Sequence, residues 1–149
     1  MTAVGKIVGI VGVESAKLLS PGRTEAAVEA VRNILLDEQA TQVCSGACHL
    51  GGIDTIAEDV AGEIGLEALI FPPKNLQWST GYKPRNLEIA KASDVVFCIT
   101  VKTLPDGYKG MRFPLCYHCG TTDHIKSGAC WTVKQAKALG KPGHVIVLD

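Results

Sequence analysis

Five short apolar runs recur along the chain, and between them apolar residues return at helical spacing. The first run, Ile7-Val8-Gly9-Ile10-Val11-Gly12-Val13, is rich in β-branched residues and does not alternate with polar ones. That pattern suits a strand buried on both faces of a parallel sheet. A second run ends in Gln42-Val43-Cys44, and a third, Ala68 to Phe71, is closed by Pro72-Pro73. The fourth runs from Asp94 to Thr100 and the fifth from His144 to Leu148. Helical stripes lie between them: Ala27, Val28, Val31, Ile34 and Leu35, then Ile53, Ile56, Ala57, Val60, Ala61 and Ile64. Ser20-Pro21 reads as the start of the first helix, with Thr24-Glu25 as a second candidate. Pro84-Arg85-Asn86 opens another helix, backed by Leu87, Ile89 and Ala90. A last helix is expected from Thr132 to Leu139, ended by Gly140 with Pro142 beyond it. The residues from Lys74 to Lys83, and from about Val101 to Cys130, read as irregular.

Strict alternation of strand and helix implies an α/β fold, a parallel sheet covered on both faces. Right-handed crossovers leave few topologies. The expected one is a Rossmann-like three-layer sandwich with a five-stranded parallel sheet in the order 3-2-1-4-5. Ligands of such sheets bind beyond the carboxyl ends of the strands, near the point where strand order reverses. Loop 12–17, loop 45–52, segment 72–86 and the cysteine-rich segment 101–130 would all share that edge. A chain of 149 residues with no internal repeat or linker fits one domain spanning 1–149.

Composition narrows the function. The chain is 46% hydrophobic with a formal charge of +0, so it has a core but no basic field for nucleic acid. Aromatics, at 5%, are too few for a broad base-stacking surface. The opening Met1-Thr2-Ala3-Val4-Gly5-Lys6 lacks the apolar core of a signal peptide, and no run is long enough to span a bilayer. A cytoplasmic protein without a membrane partner is expected. Six cysteines in that setting point to metal binding or burial before disulfides.

The stretch from Ser45 to Glu58 concentrates candidate chemistry. A strand, a turn rich in small residues and a helix start would aim free backbone N–H groups and a helix dipole at one point, which suits a phosphate. Gly46, Gly51 and Gly52 allow positive φ and leave room for a ligand against the backbone. The N–H groups near Gly51, Gly52 and Ile53 would hold phosphate, with Ser45 and Gly12 close by and Thr55 adding a hydroxyl. Asp54 would accept from a ribose hydroxyl or cap its own helix. Glu58, four residues on, shares a helical face with Asp54; it would orient water or stabilise an oxocarbenium ion, or simply favour the helix dipole. Arg85 is the best side chain for a phosphate, because a guanidinium binds two oxygens at once. Asn86 would read a base or cap its helix. Trp78 and Tyr82 would stack on a base or anchor their loop. A tight turn with no ligand is the alternative for the whole stretch.

Two motifs carry a resemblance. Ser45-Gly46 followed by Gly52-Ile53-Asp54-Thr55, with the later Arg85-Asn86, Ile89-Ala90 and Ser93-Asp94, resembles the Rossmann domain of the DNA-processing protein A (Smf) family. The resemblance covers roughly residues 5–100. It extends to a wider superfamily that includes the Lonely Guy phosphoribohydrolases and the molybdenum-cofactor carrier proteins. Gly51-Gly52-Ile53-Asp54-Thr55-Ile56-Ala57-Glu58 is similar to the hydrolases' glycine-rich loop, but Leu50 and Asp54 stand where proline and a third glycine are usual. The resemblance implies a nucleotide or phosphorylated small-molecule ligand and a homo-oligomer. It implies, as an alternative, cleavage of an N-glycosidic bond in a nucleoside monophosphate, with Glu58 and Arg85 as the catalytic candidates.

Cys116 to Cys130 is a metal-site pattern. Read as C-x2-C-x4-H-x5-C, Cys116, Cys119, His124 and Cys130 supply the three thiolates and one imidazole of a closed structural zinc site. His118 is an alternative ligand. Tyr117 and Gly120 make the first half similar to a retroviral-type zinc knuckle, so a nucleic-acid-binding module is a second alternative. A clasp for some thirty irregular residues is the simpler role. Cys98 and Cys44 are expected in the core, and Cys48 at a helix start that would lower its pKa. The expected function is a nucleotide-binding protein with a structural zinc.

Overall fold

The five apolar runs assemble into one parallel sheet. The computed structural model describes residues 5–48 and 50–149. Most of the opening hexapeptide, and His49 within the glycine loop, therefore lie outside the described residues. The strands are β1 (Ile7–Gly12), β2 (Gln42–Ser45), β3 (Glu67–Ile70), β4 (Val95–Val101) and β5 (Gly143–Leu148). Their order is β3-β2-β1-β4-β5, with every pairing parallel. The helices α1 (Arg23–Asp37), α2 (Ile53–Glu63), α3 (Lys83–Ala92) and α4 (Gly128–Ala138) alternate with them. This is the doubly wound α/β architecture expected from the alternation.

Burial explains the apolar runs. Successive side chains of a strand point to opposite faces, so each central strand feeds two cores. Val8 and Ile10 of β1 and Val95, Phe97 and Ile99 of β4 join α1 and α2 on one face. Val11, Val96 and Cys98 join Ile89 and Ala90 of α3 and Val133 and Ala136 of α4 on the other. The stripe of α2 is buried from Ile53 to Ala61.

Three boundaries depart from the expected ones. First, α1 starts at neither Ser20 nor Thr24. The Ser20 carbonyl accepts from Arg23 N at 3.2 Å in a preceding turn, and Gly22, in the left-handed region at φ +80°, leads into the helix. Arg23 is buried there because its three guanidinium nitrogens reach the Asp149 carbonyl, the Lys17 carbonyl and Thr103 Oγ1. Second, α4 begins at Gly128 rather than Thr132, because the Ser127 hydroxyl accepts from Ala129 N at 3.2 Å and caps the helix one turn early. Third, Trp78–Tyr82 forms a single π-helical turn running into α3. Among the described residues no helix is long and apolar enough to cross a membrane.

Candidate functional site

A cavity of about 480 Å³ opens at the carboxyl rim, beside Val11 and Gly12 at the end of β1. Here β1 is flanked by β2 and β4, whose following connections diverge to opposite faces, the position where sheets of this order hold ligands. Asp54 in the first turn of α2, Arg85 and Asn86 in the first turn of α3, and Ser127, Gly128 and Ala129 at the start of α4 all line it. Three helix N-termini therefore converge on one space, each with the positive end of its dipole inward.

Arg85 is the best-anchored side chain of the cavity. It is 7% exposed, and its Nε donates to Asn86 Oδ1 at 2.7 Å. Its Nη1 donates to the Gly46 carbonyl and, at 3.4 Å, to the Phe71 carbonyl. The ring of Tyr82 lies 5.1 Å from the guanidinium carbon. Arg85 Nη2 and the amide nitrogen of Asn86, itself 6% exposed, meet no acceptor among the described residues. Among the described residues two donors thus remain for a ligand, on side chains that line the cavity and are held by the bonds of their other atoms.

The glycine loop serves mainly to let parts of the chain touch. A Cβ on Gly46 would collide with the Arg85 guanidinium, so this glycine makes room for the arginine rather than for a ligand. Its φ is not positive; Ala47 takes the left-handed conformation instead, at φ 49°. Gly52, at φ +88°, lies against the Val13 carbonyl and the Glu14 backbone, which a Cβ would strike. Gly12 packs in the same way against the Ile99 carbonyl and Ile53. The backbone N–H groups follow suit. Ile53 N donates to the Val13 carbonyl at 3.1 Å and Gly51 N to the Cys48 carbonyl at 3.0 Å. Ser45 is buried, and its hydroxyl donates to the Ile10 carbonyl at 3.1 Å. Asp54 does not cap its helix: its carboxylate accepts from Cys48 N at 3.1 Å and braces the loop from below. Burial pushes the Asp54 carboxyl up from the usual range, while Arg85 and the Cys48 N–H oppose that shift. Cys48 is raised as well, chiefly by burial, so the helix start does not make it a ready thiolate.

The remaining predicted residues divide. Thr55 is exposed and close to Gly51. Glu58 lies outside the lining of the cavity; the carboxylates that line it are Glu14 and Asp54. Trp78 and Tyr82 both line it, Trp78 with its ring edge-on to Trp131 at 5.7 Å between centroids. Lys17, Tyr108, Phe113 and Lys126 complete the wall without any motif to announce them. The Lys126-Ser127 pair carried the one available signal, a basic residue before a helix cap.

The cysteine segment closes on itself. Cys116 pairs with Thr121 in an antiparallel bridge, and Gly120 N donates to the Cys116 carbonyl at 2.7 Å, with Gly120 at φ +70°. Beyond this knuckle, Ile125 bonds the end of β4 in both directions, its N–H to the Val101 carbonyl and its carbonyl to Thr100 Oγ1. The thiols of Cys116, Cys119 and Cys130 and the ring of His124 come within 4.8 Å of one another. This cluster can hold a metal ion. A tetrahedral zinc with Zn–S bonds of about 2.3 Å sets its sulfurs roughly 3.8 Å apart, so the spacing and the donor set both fit. His124 Nε2 lies 3.7 Å from Cys130 Sγ, and Nδ1 meets Asp123 Oδ1 at 2.8 Å, a partner that fixes the ring. His118 is not in the cluster; its ring packs 4.5 Å from Tyr117 and 6.3 Å from Trp78.

The thiols titrate apart. Burial works against ionising Cys116, but the backbone N–H groups of Cys119, Ser127 and His118 and the His124 ring outweigh it and hold its pKa down to about 7. Burial and the neighbouring thiols push Cys119 up to about 12. Cys130 is raised too, first by its contact with Cys98, whose sulfur lies 3.8 Å away. Three thiols crowded this closely become thiolates together only around a cation. Cys98 and Cys44 are buried, and burial raises Cys44 to about 11.

Compared with known protein families and with curated proteins, the chain matches none. Its functional reading stands on the site itself.

Proposed function

We propose that the chain binds a nucleotide or a related phosphorylated small molecule in the rim cavity, beside a structural zinc held by Cys116, Cys119, His124 and Cys130. One observation supports this above the others. Arg85 Nη2 and the Asn86 amide nitrogen meet no acceptor among the described residues, and both side chains, largely buried, line a cavity that three helix N-termini face. Lys17 and Lys126 add positive charge to the same walls, and Trp78, Tyr82 and Phe113 set aromatic rings among them, Trp78 being the one with no cation over its face among the described residues. The phosphate contact thus falls to Arg85, Asn86 and the start of α4, while the glycine loop shapes the floor. The likeness of the loop and the Arg85-Asn86 pair to the DNA-processing and Lonely Guy proteins favours the same ligand class, and it alone suggests a homo-oligomer.

Zinc, when bound, would neutralise the thiolates and tie the knuckle to α4. Four protein ligands leave it no open position for chemistry. Its effect on the cavity is by position: Cys130, a ligand, follows Ala129, which lines the wall. Binding without turnover is the reading favoured, because Glu58 stands away from the cavity. Native mass spectrometry of the purified protein, before and after mild denaturation, tests both parts. One zinc per chain and a nucleotide-sized adduct lost on denaturation are expected. No zinc from a chelator-free preparation would remove the clasp. No adduct, and no binding of added nucleotides by calorimetry, would remove the ligand.

A further inference from the structure

The cluster of Cys116, Cys119, His124 and Cys130 has a fourth cysteine beside it. Cys98 lies in the middle of β4, a strand buried along its whole length. It pairs with Val11 of β1 and Val145 of β5 and is 0% exposed. Its side chain faces the core that α3 and α4 cover, with Val11, Ile89, Ala129 and Cys130. There its sulfur meets the sulfur of Cys130 at 3.8 Å. Cys98 is not one of the four residues whose donor atoms lie within 4.8 Å of one another. It therefore stands outside the ligand set and touches it through Cys130.

The three thiols of the set differ in what can offset a negative sulfur. Cys116 has the backbone N–H groups of Cys119, Ser127 and His118 turned toward it. Cys119 is exposed to solvent. Cys130 is 1% exposed, and its own N–H is engaged with the Ser127 carbonyl at 3.0 Å. Among the described residues the partners of its sulfur are the side chains of Cys119, of His124, whose Nε2 lies 3.7 Å away, and of Cys98. With a metal bound, Cys119 is a thiolate without a hydrogen. His124 then gives Nε2 to the ion, since Nδ1 is held by Asp123 Oδ1 at 2.8 Å. The Cys98 thiol is the donor that remains. Without a metal either sulfur of the pair can carry the hydrogen. A metal-bound Cys130 has none to give, so the direction becomes fixed: Cys98 S–H donates and Cys130 accepts.

We infer that Cys98 is a positioning residue of the metal centre, its buried thiol donating a hydrogen bond to the metal-bound Cys130 thiolate where solvent does not reach. This rests on the metal-binding reading of the Cys3His set. A charged sulfur in an apolar core is costly unless it is hydrogen-bonded, and residues that support a metal's ligands in this way strengthen binding by about 10- to 100-fold. The contact also fastens the metal-bound start of α4 to β4. Cys130 follows Ala129, which lines the rim cavity, so the same bond holds that wall against the sheet.

Zinc affinity of the full chain, measured by competition with a chromophoric chelator, tests it in the wild type, Cys98→Ala and Cys98→Ser. Cys98→Ala should bind zinc at least about tenfold more weakly. Cys98→Ser keeps a donor at the same position and should recover part of that loss, although a hydroxyl suits an apolar core less well than a methyl group. A merely structural role would order the two variants the other way. If Cys98→Ala does not fold, Cys98→Val fills the space without a donor and takes its place. Cobalt(II) in place of zinc gives a second reading that does not depend on affinity. Losing the hydrogen bond makes the Cys130 thiolate a stronger electron donor, so the sulfur-to-cobalt charge-transfer band should move to longer wavelength at unchanged intensity. Wild-type affinity in Cys98→Ala, an unmoved band, or a Ser variant that binds no better than Ala each overturns the inference. A band that loses intensity instead of moving would make Cys98 a ligand and overturns it too. If the wild type takes up neither zinc nor cobalt, the metal reading itself falls and takes the role of Cys98 with it.

Discussion

The glycine loop between β2 and α2 and the cysteine segment between β4 and α4 carry equally suggestive motifs, yet the fold uses them differently. In the loop, the space left by missing side chains is filled by the chain: Arg85 against Gly46, Val13 and Glu14 against Gly52. Its N–H groups at Gly51 and Ile53 are spent on nearby carbonyls. In the cysteine segment, three thiols and an imidazole are gathered within 4.8 Å. A glycine motif states only that something comes close, and that something can be the protein. A Cys3His set states what it wants, because crowded thiols are satisfied as a group only by a cation.

That contrast is open to direct attack. The largest effect should come from the metal. Stripping it with a strong chelator, or replacing Cys119 by Ser, should abolish stoichiometric zinc in elemental analysis and lower Tm. A metal bound at a thousand times its Kd contributes about 4 kcal/mol, and most of that should vanish. An unchanged Tm would mean that segment 101–130 holds without a clasp. Gly52→Ala comes next: at φ +88° and against backbone atoms that cannot move aside, it should cost at least about 2 kcal/mol in denaturant unfolding. Gly46→Ala should cost less, about 1 kcal/mol, because the Arg85 side chain can swing away and lose its bonds. Its ligand affinity should fall more than its stability suggests, and calorimetry would show whether it does. If both glycine variants fold as well as the wild type, the loop's glycines serve something other than packing.

Asp54 gives a gentler test. A carboxyl whose pKa is raised on folding binds its proton more tightly in the native state, so the native state loses stability as pH rises past the unfolded value of about 4. Asp54→Asn removes that dependence and still offers an oxygen to Cys48 N. The Tm of the variant relative to the wild type should therefore climb between acidic and neutral pH. A flat difference would place the carboxylate in a better-solvated setting than its 5% exposure indicates. Smallest of all, Glu58→Gln should leave ligand affinity within about twofold, since Glu58 does not line the cavity.

The sheet order was legible because it follows from alternation and handedness, which act on every crossover alike. The metal ligands were legible because their spacing is local. What the sequence concealed depends on distant partners. Nothing around Gly46 announces that Arg85, thirty-nine residues on, will occupy its missing side chain. The early start of α4 was hidden because Ser127 to Cys130 belong to the metal segment and to a capped helix at once. Tyr108 and Lys17 enter the cavity walls from connections whose residues carry no periodicity.

The central place of β1 also sets a timetable for synthesis. This strand is apolar, and it is completed on both sides only when Val8 has Val43 on one flank and Val95 on the other. A ribosome adding about 5–20 residues per second takes roughly 4 to 17 s to travel from the first partner of the β1–β4 pair to the second. Throughout that interval the β1 edge that will meet β4 is unpartnered, and its Ile7–Gly12 run has no polar residue to discourage another nascent chain. Yield at elevated expression rate is therefore a property written into strand order, and a bound holdase over this window should raise it.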